Sequence, residues 1–427
     1  MAHNKDYANT ISTPVRTEKL RYGLILCFVA SLPFHIIYSQ VILYLLVATT
    51  LMSFRVSMLR AIPKQFWLFA GVYLLGALGY IYSTDKHAAG YLMERQLSIL
   101  IMPLAIPMAF YRDESRIRTI LLVFTLSCTG AVLFLFGQAL YTIHLNHFPA
   151  RVLFTNTFFH HGFSGPLGIH ATYLSLYVAL CLFYCVYRFA KTTSMQERIW
   201  LGLCLLVLAA GLFFLATRSV WIATALILFF IFPLYVIRKK WLYYIILLVA
   251  AGISGILVFK VDYFRERFGK QLVQEIYAPH TMAMSDASPE PRIERWEGAV
   301  ELIRLSPWIG YGTGDEVKFM KIKYIEHRQF VSYLYSFNAH NEYISIVLKH
   351  GFVGLFIFLG LFGYYLRIAI RQQDFIYMAF IGLLLIVFIT ENVLDSNKGI
   401  FFFAFFNTLF GYFHLEKTRD KPADTVK

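Results

Sequence analysis

Apolar runs recur along this chain, most of them about 16 to 25 residues long, the length a helix needs to cross roughly 30 Å of hydrocarbon. Twelve spans follow from them: 22–38, 41–54, 65–82, 96–111, 117–142, 168–187, 199–216, 219–237, 241–259, 351–370, 375–391 and 399–414. The 427 residues are 58% hydrophobic and only 15% charged, a balance rare in soluble domains. The expected fold class is therefore an all-α polytopic membrane protein. The first twenty residues are polar and no small-residue cleavage site follows the first apolar run, so that run is expected to stay as a helix.

Charge orients the spans. "SFRVSMLRAIPK", "YRDESRIR", "RFAKTTSMQER", "IRKK" and "RIAIRQQD" are short and basic, whereas "YSQ", "STDKHAAG" and "TRS" are poor in Lys and Arg. The positive-inside rule then puts both termini in the cytoplasm. Residues 1–259 are read as spans one to nine, 260–350 as a periplasmic loop with amphipathic helices, and 351–427 as spans ten to twelve with a cytoplasmic tail. Between 260 and 337 eleven basic residues meet eleven acidic ones, so the net charge of +14 is mainly an orientation signal. A nucleic-acid partner is not supported.

Within that loop, "YAPHTMAMSDASPEP" (277–291) is expected to be flexible. In the next stretch, Ile293, Trp296, Ala299, Val300 and Ile303 recur at helical spacing until Pro307, and a turn with Gly310, Gly312 and Gly314 follows. A second external stretch, 144–168, is rich in aromatics. No internal repeat stands out, which disfavours a transporter of symmetric halves.

Polar groups near the spans are the candidates for chemistry. In "SFNAHNEYISIVLKHGFVGL", Ser336 or Asn338 as N-cap of a helix to Lys349 would place His340 in its first turn, with Tyr343, Ile344 and Val347 on its face. An imidazole there suits a general base; it could equally be an interfacial histidine that satisfies a cap. Arg218, in "FFLATRSVWIATAL", sits at a membrane edge and needs either an anion or a lipid headgroup. Arg292 and Arg295 lie three apart and could share a face, or pair with Glu294 and Glu297 as a solvated one. Glu94 and Arg95 precede span four, His170 opens span six, and Glu391, Asp395 and Lys398 lie between the last two spans; pairing among such charges is the plain reading. All five cysteines fall in apolar runs, and no nucleotide or metal motif occurs, so neither cofactor nor metal is expected.

Three stretches in this order, "TRSVWIATAL", "RIERWEGAVELIRLSPWIGYGTGD" and "NAHNEYISIVLKHGFVGL", resemble the O-antigen ligase and polymerase superfamily of bacterial envelope proteins. The matching positions are Thr217-Arg218, then Arg292 and Trp296 with Pro307, Gly310 and Gly312, then His340-Asn341-Tyr343 leading into Gly351 and Gly354. The likeness covers about residues 200 to 365. It implies a fold similar to C-type glycosyltransferases and metal-independent, inverting transfer of a glycan from undecaprenyl diphosphate to a lipid A-core hydroxyl, at the periplasmic face of the inner membrane. His340 would be the base, Arg218, Arg292 and Arg295 would bind the diphosphate, and Asn341, Tyr343 and Trp296 would support them. An O-antigen polymerase or a protein O-oligosaccharyltransferase would share the donor; a transporter of the same lipid is the more distant alternative.

Overall fold

The computed structural model describes residues 15–54, 64–109, 114–236, 240–260 and 290–419. Among them every regular element is helical. The apolar bundle comprises α1 (Val15–Ser31), α2 (Ile36–Met52), α3 (Gly71–Tyr82, entered by the 3-10 turn Lys64–Ala70), α4 (Lys86–Ala109), α5 (Glu114–Leu145), α6 (Ala171–Lys191), α7 (Met195–Leu215), α8 (Arg218–Leu226, prolonged in helical turns to Tyr235) and α9 (Lys240–Lys260). Three polar helices follow, α10 (Arg292–Leu305), α11 (Glu316–Glu326) and α12 (Phe330–Leu334). The apolar α13 (Glu342–Arg371), α14 (Phe375–Val387) and α15 (Asn397–Arg419) close the chain. Seven helical stretches among the described residues are long and apolar enough to cross a membrane, and two shorter apolar helices, α2 and α14, stand with them. The chain is a multi-pass helical membrane protein.

Helices in lipid gain nothing from hiding apolar surface from water, so their association rests on close packing. α15 is the hub of that packing. Its Phe405 meets Phe28 of α1 at 5.6 Å between ring centroids, Phe406 meets Phe124 of α5 at 4.9 Å, Phe402 meets Phe380 of α14 at 5.2 Å, and Phe403 stacks on Phe362 of α13 at 5.5 Å. Each such pair contributes about 0.5–1.5 kcal/mol beyond area burial.

Among the described residues each expected apolar run overlaps a helix, with shifted ends. The first turn lies at Leu32–His35 and not at "YSQ", which is inside α2. Pro33 explains this, because its ring disfavours helix in the residue before it. Glu94 and Arg95 do not precede span four but sit inside α4. The tenth apolar run does not begin at 351: α13 starts at Glu342 and is kinked at Gly351, where φ is 64° and ψ −171°. On α10 the buried positions are Arg295, Gly298, Ala299 and Leu302, while Ile293 and Val300 are exposed; the pattern expected from Ile293 and Val300 is rotated. Most of 277–291 lies outside the described residues.

Several inter-element hydrogen bonds join turns and helix ends at one end of the bundle. Ser83 and Thr84 bond to Asp315, Gln96 Nε2 donates to the Leu394 carbonyl (2.9 Å), and the His160 N–H donates to the Phe214 carbonyl (2.9 Å). Elsewhere, Arg116 at the start of α5 pairs with Glu18 of α1 (2.6 Å).

Candidate functional site

The site end is organised by the break in α13. A kink frees backbone groups that lipid cannot satisfy. Here the segment 307–312 takes them up. The amides of Phe352 and Val353 donate to the carbonyls of Pro307 (2.8 Å) and Trp308 (3.2 Å), and the carbonyls of Leu348 and Lys349 accept from the amides of Tyr311 (2.8 Å) and Gly312 (2.9 Å). A Cβ on Gly351 would lie 2.1 Å from the Trp308 carbonyl carbon, so only glycine allows this approach. The glycine-rich turn read in the sequence is thus a splice between α10 and α13.

Asn341 is the N-cap of α13, its Oδ1 accepting from the Ile344 amide at 3.1 Å. His340 therefore does not occupy the first helical turn, as its spacing suggested, but precedes the helix with φ at 47°. Left-handed backbone is costly for histidine and persists only where neighbours fix it. They do so from several sides. Trp296 Nε1 donates to the Ala339 carbonyl (2.8 Å), the Ala339 amide donates to Glu316 Oε1 (3.1 Å), and the His340 amide donates to Asn338 Oδ1 (3.1 Å). Phe337 sets its ring edge against the imidazole at 5.5 Å. Tyr343 anchors the first turn of α13 by donating to the Leu385 carbonyl (2.6 Å).

Beneath this loop lies a buried ionic group. Lys349 Nζ reaches Asp395 at 2.8 Å and Glu316 at 3.1 Å, and both carboxylates touch the His340 loop, Asp395 through Asn338 (3.5 Å). Glu342, whose own amide is held by the Phe388 carbonyl (2.8 Å), accepts from the Leu394 amide at 2.9 Å. The 388–396 connection is thereby fastened to the start of α13.

That connection carries Glu391, on which the site converges. Its Oε2 is 3.7 Å from His340 Nδ1, and its Oε1 is 3.3 Å from Nη2 of Arg292, the first residue of α10. The carboxylate side chain is only 14% exposed, against 29% for His340 and 32% for Arg292. Burial alone would raise its pKa; the contact with His340 and the charges of Arg292, His340 and His170 outweigh this and hold Glu391 below the usual carboxylate value. His170 caps α6, its ring 4.3 Å from that of His161. Desolvation by the surrounding protein lowers the His170 pKa against the pull of Glu391, with His340 and Arg292 adding to the effect.

Arg218 starts α8 at the same end. Thr217, just before it, accepts a hydrogen bond from Ser175 Oγ (2.9 Å) near the start of α6, the helix that His170 caps. Arg295 is turned inward: it is buried, with its guanidinium carbon 5.1 Å from the Phe337 ring centroid. Burial lowers its pKa, opposed by Tyr324 and reinforced by Arg292. Among the described residues Glu301, Glu326 and His327 could gather a metal ion, but Lys323 already lies 2.9 Å and 2.6 Å from the two carboxylates.

Residues 203–359 match the family described as O-antigen ligase. Over that segment the chain is similar to the O-antigen ligase family. The matched segment runs from α7 through the kink of α13 and contains Arg218, Arg292 and His340. No curated protein matches the chain.

Glu391 and His170 lie outside the matched segment, and neither stood out as a site residue in the sequence. Both were visible only as isolated polar groups at span ends. Lys398, grouped with Glu391 and Asp395 in the sequence, goes elsewhere: it donates to the carbonyls of Leu32 (2.7 Å) and Phe34.

Proposed function

We propose that this protein is an O-antigen ligase, which moves a glycan from an undecaprenyl-diphosphate carrier onto a lipid A-core hydroxyl at the periplasmic face of the bacterial inner membrane. The observation that carries the reading is the meeting of His340 and Arg292, both inside the segment of O-antigen ligase type, with Glu391 at one end of the bundle.

His340 takes the proton of the acceptor hydroxyl, and that oxygen attacks the anomeric carbon from the face opposite the carrier. The bond from that carbon to the diphosphate oxygen breaks, and its electron pair leaves with the diphosphate, so the configuration inverts. Glu391 orients the imidazole and balances the positive charge it acquires, as the third member of a nucleophile–base–orienter set does. Arg292 meets Glu391 through one terminal nitrogen, which leaves guanidinium donors for phosphate oxygens. Arg218, from α8, provides the second permanent charge on the leaving group, and loss of either arginine costs about 3 kcal/mol of transition-state stabilisation. Arg295 supports the site from beneath, through Phe337 and by its charge. Asn341, Trp296 and Tyr343 hold the loop in which His340 sits.

The test is a strain lacking the chain, analysed for lipopolysaccharide and carrier-linked glycan. A ligase predicts the loss of all capped lipid A-core while polymer accumulates on the carrier. Persisting single-repeat capping would instead identify a polymerase, and an unchanged ladder with unglycosylated proteins a protein transferase. An unchanged glycan profile in every fraction contradicts the reading.

A further inference from the structure

The end of α10 and the turn after it expose a dense apolar patch that the bundle does not cover. Leu305 is 75% exposed, Trp308 65% and Ile309 61%. The rest of the exposed side of α10 differs, because Ile293 and Val300 alternate there with Glu297 and Arg304. Hydropathy gives no hint of a membrane segment at this point, since α10 is a polar helix.

Position decides what the patch faces. The Trp308 carbonyl accepts the Val353 amide at 3.2 Å, and its ring lies 6.4 Å from that of Phe352. Phe352 and Val353 open the part of α13 beyond the kink, whose exposed face continues through Phe356 and Ile357. α13 is one of the helices long and apolar enough to span a membrane. Its outward apolar face is therefore a lipid face, and Trp308 and Ile309 extend that face without a polar interruption. Tryptophan favours this level, where its ring meets acyl chains and its N–H meets headgroups.

We infer that Leu305, Trp308 and Ile309 are embedded among the phospholipid acyl chains at the border of the site-side leaflet. α10 would then be anchored at both ends, by Arg292 on Glu391 at its start and by lipid at its finish. This fixes the depth at which Arg292 and Trp296 stand. The inference concerns membrane placement alone and holds whichever glycan or acceptor the site takes.

Spin labelling tests it in the full chain reconstituted in phospholipid vesicles. Cys27 is the exposed cysteine among the five, so a Cys27→Ser background directs a nitroxide to Leu305→Cys, with Glu297→Cys as the comparison site. The label at 305 should relax several-fold more with oxygen than with a water-soluble nickel chelate, and the label at 297 should show the reverse order. Chelate dominance at both positions overturns the inference. So does spin–spin broadening at 305 that grows with protein density, which would mean that a second copy covers the patch. As a check needing no label, brominated phospholipids should quench wild-type fluorescence more than that of Trp308→Phe; equal quenching counts against the inference.

Discussion

Glu391 stands 3.7 Å from His340 Nδ1, within ion-pair range though longer than a hydrogen bond, and it is the same carboxylate that holds Arg292. An approaching diphosphate would compete with Glu391 for Arg292, while the imidazole would keep its partner as it gains a proton. One buried anion thus links the group that handles the acceptor to the group that handles the donor.

Glu391→Gln preserves shape and removes the charge. We expect kcat to fall about tenfold to a hundredfold, equivalent to ~1.4–2.7 kcal/mol, while the KM for the lipid-linked donor does not rise, because Arg292 loses a competitor. Steady-state kinetics in vesicles decide the matter; a rise in KM at constant kcat would make Glu391 a donor-binding group instead.

Lys349 joins Asp395 and Glu316, the two carboxylates that touch the His340 loop from below. Removing one partner from a buried ion pair costs about 3–5 kcal/mol, since the remaining charge stays desolvated. Lys349→Met should lower the thermal midpoint markedly, and adding Asp395→Asn should recover part of the loss. A double variant as unstable as the sum of both single ones contradicts this coupling.

Gly351 combines a positive φ with a carbonyl occupying the place of a side chain. Gly351→Ala should destabilise the protein by about 2 kcal/mol or more, through backbone strain and through separation of 307–312 from α13. Limited proteolysis should then cut within 307–312, where the wild type resists. Unchanged resistance would mean that the splice tolerates a methyl group.

Asp315 supplies a pH prediction. It accepts hydrogen bonds from Ser83 Oγ (2.7 Å), Thr84 Oγ1 (2.6 Å) and the amides of Thr84 (2.6 Å) and Asp85 (3.0 Å), tying the α3–α4 turn to the start of α11. Burial pushes its pKa up, but these donors prevail and hold it below 3.8. A depressed pKa means that the stabilisation is complete above the ordinary aspartate value and is lost as the pH falls through the lower, folded-state value. The stability gap between wild type and Asp315→Asn should accordingly be widest near neutrality and shrink below 3.8. A gap independent of pH would exclude this role for its charge.

The helical, multi-pass character of the chain was legible in the sequence because hydropathy acts over whole segments. The order of the motifs singled out Arg292, Trp296 and His340, and the structure brings them to one end of the bundle. The register of His340 was not legible: the spacing offers Ser336 or Asn338 as the cap, whereas Asn341 caps the helix while Trp296, Glu316 and Asn338 grip the loop before it. Glu391 was read only as one of several pairing charges, because its place in the site comes from tertiary contact with α10 and the His340 loop, which no local spacing encodes. The face of α10 was misjudged because burying Arg295 against Phe337 turned Ile293 and Val300 outward.

The most direct test of the central claim is turnover by purified His340→Ala, reconstituted with a defined lipid-linked glycan donor and a lipid A-core acceptor. The account predicts that the variant inserts and folds like the wild type, still binds the donor, and transfers about 10²- to 10⁴-fold more slowly, the range a general base contributes. A folded His340→Ala protein with wild-type turnover would contradict it.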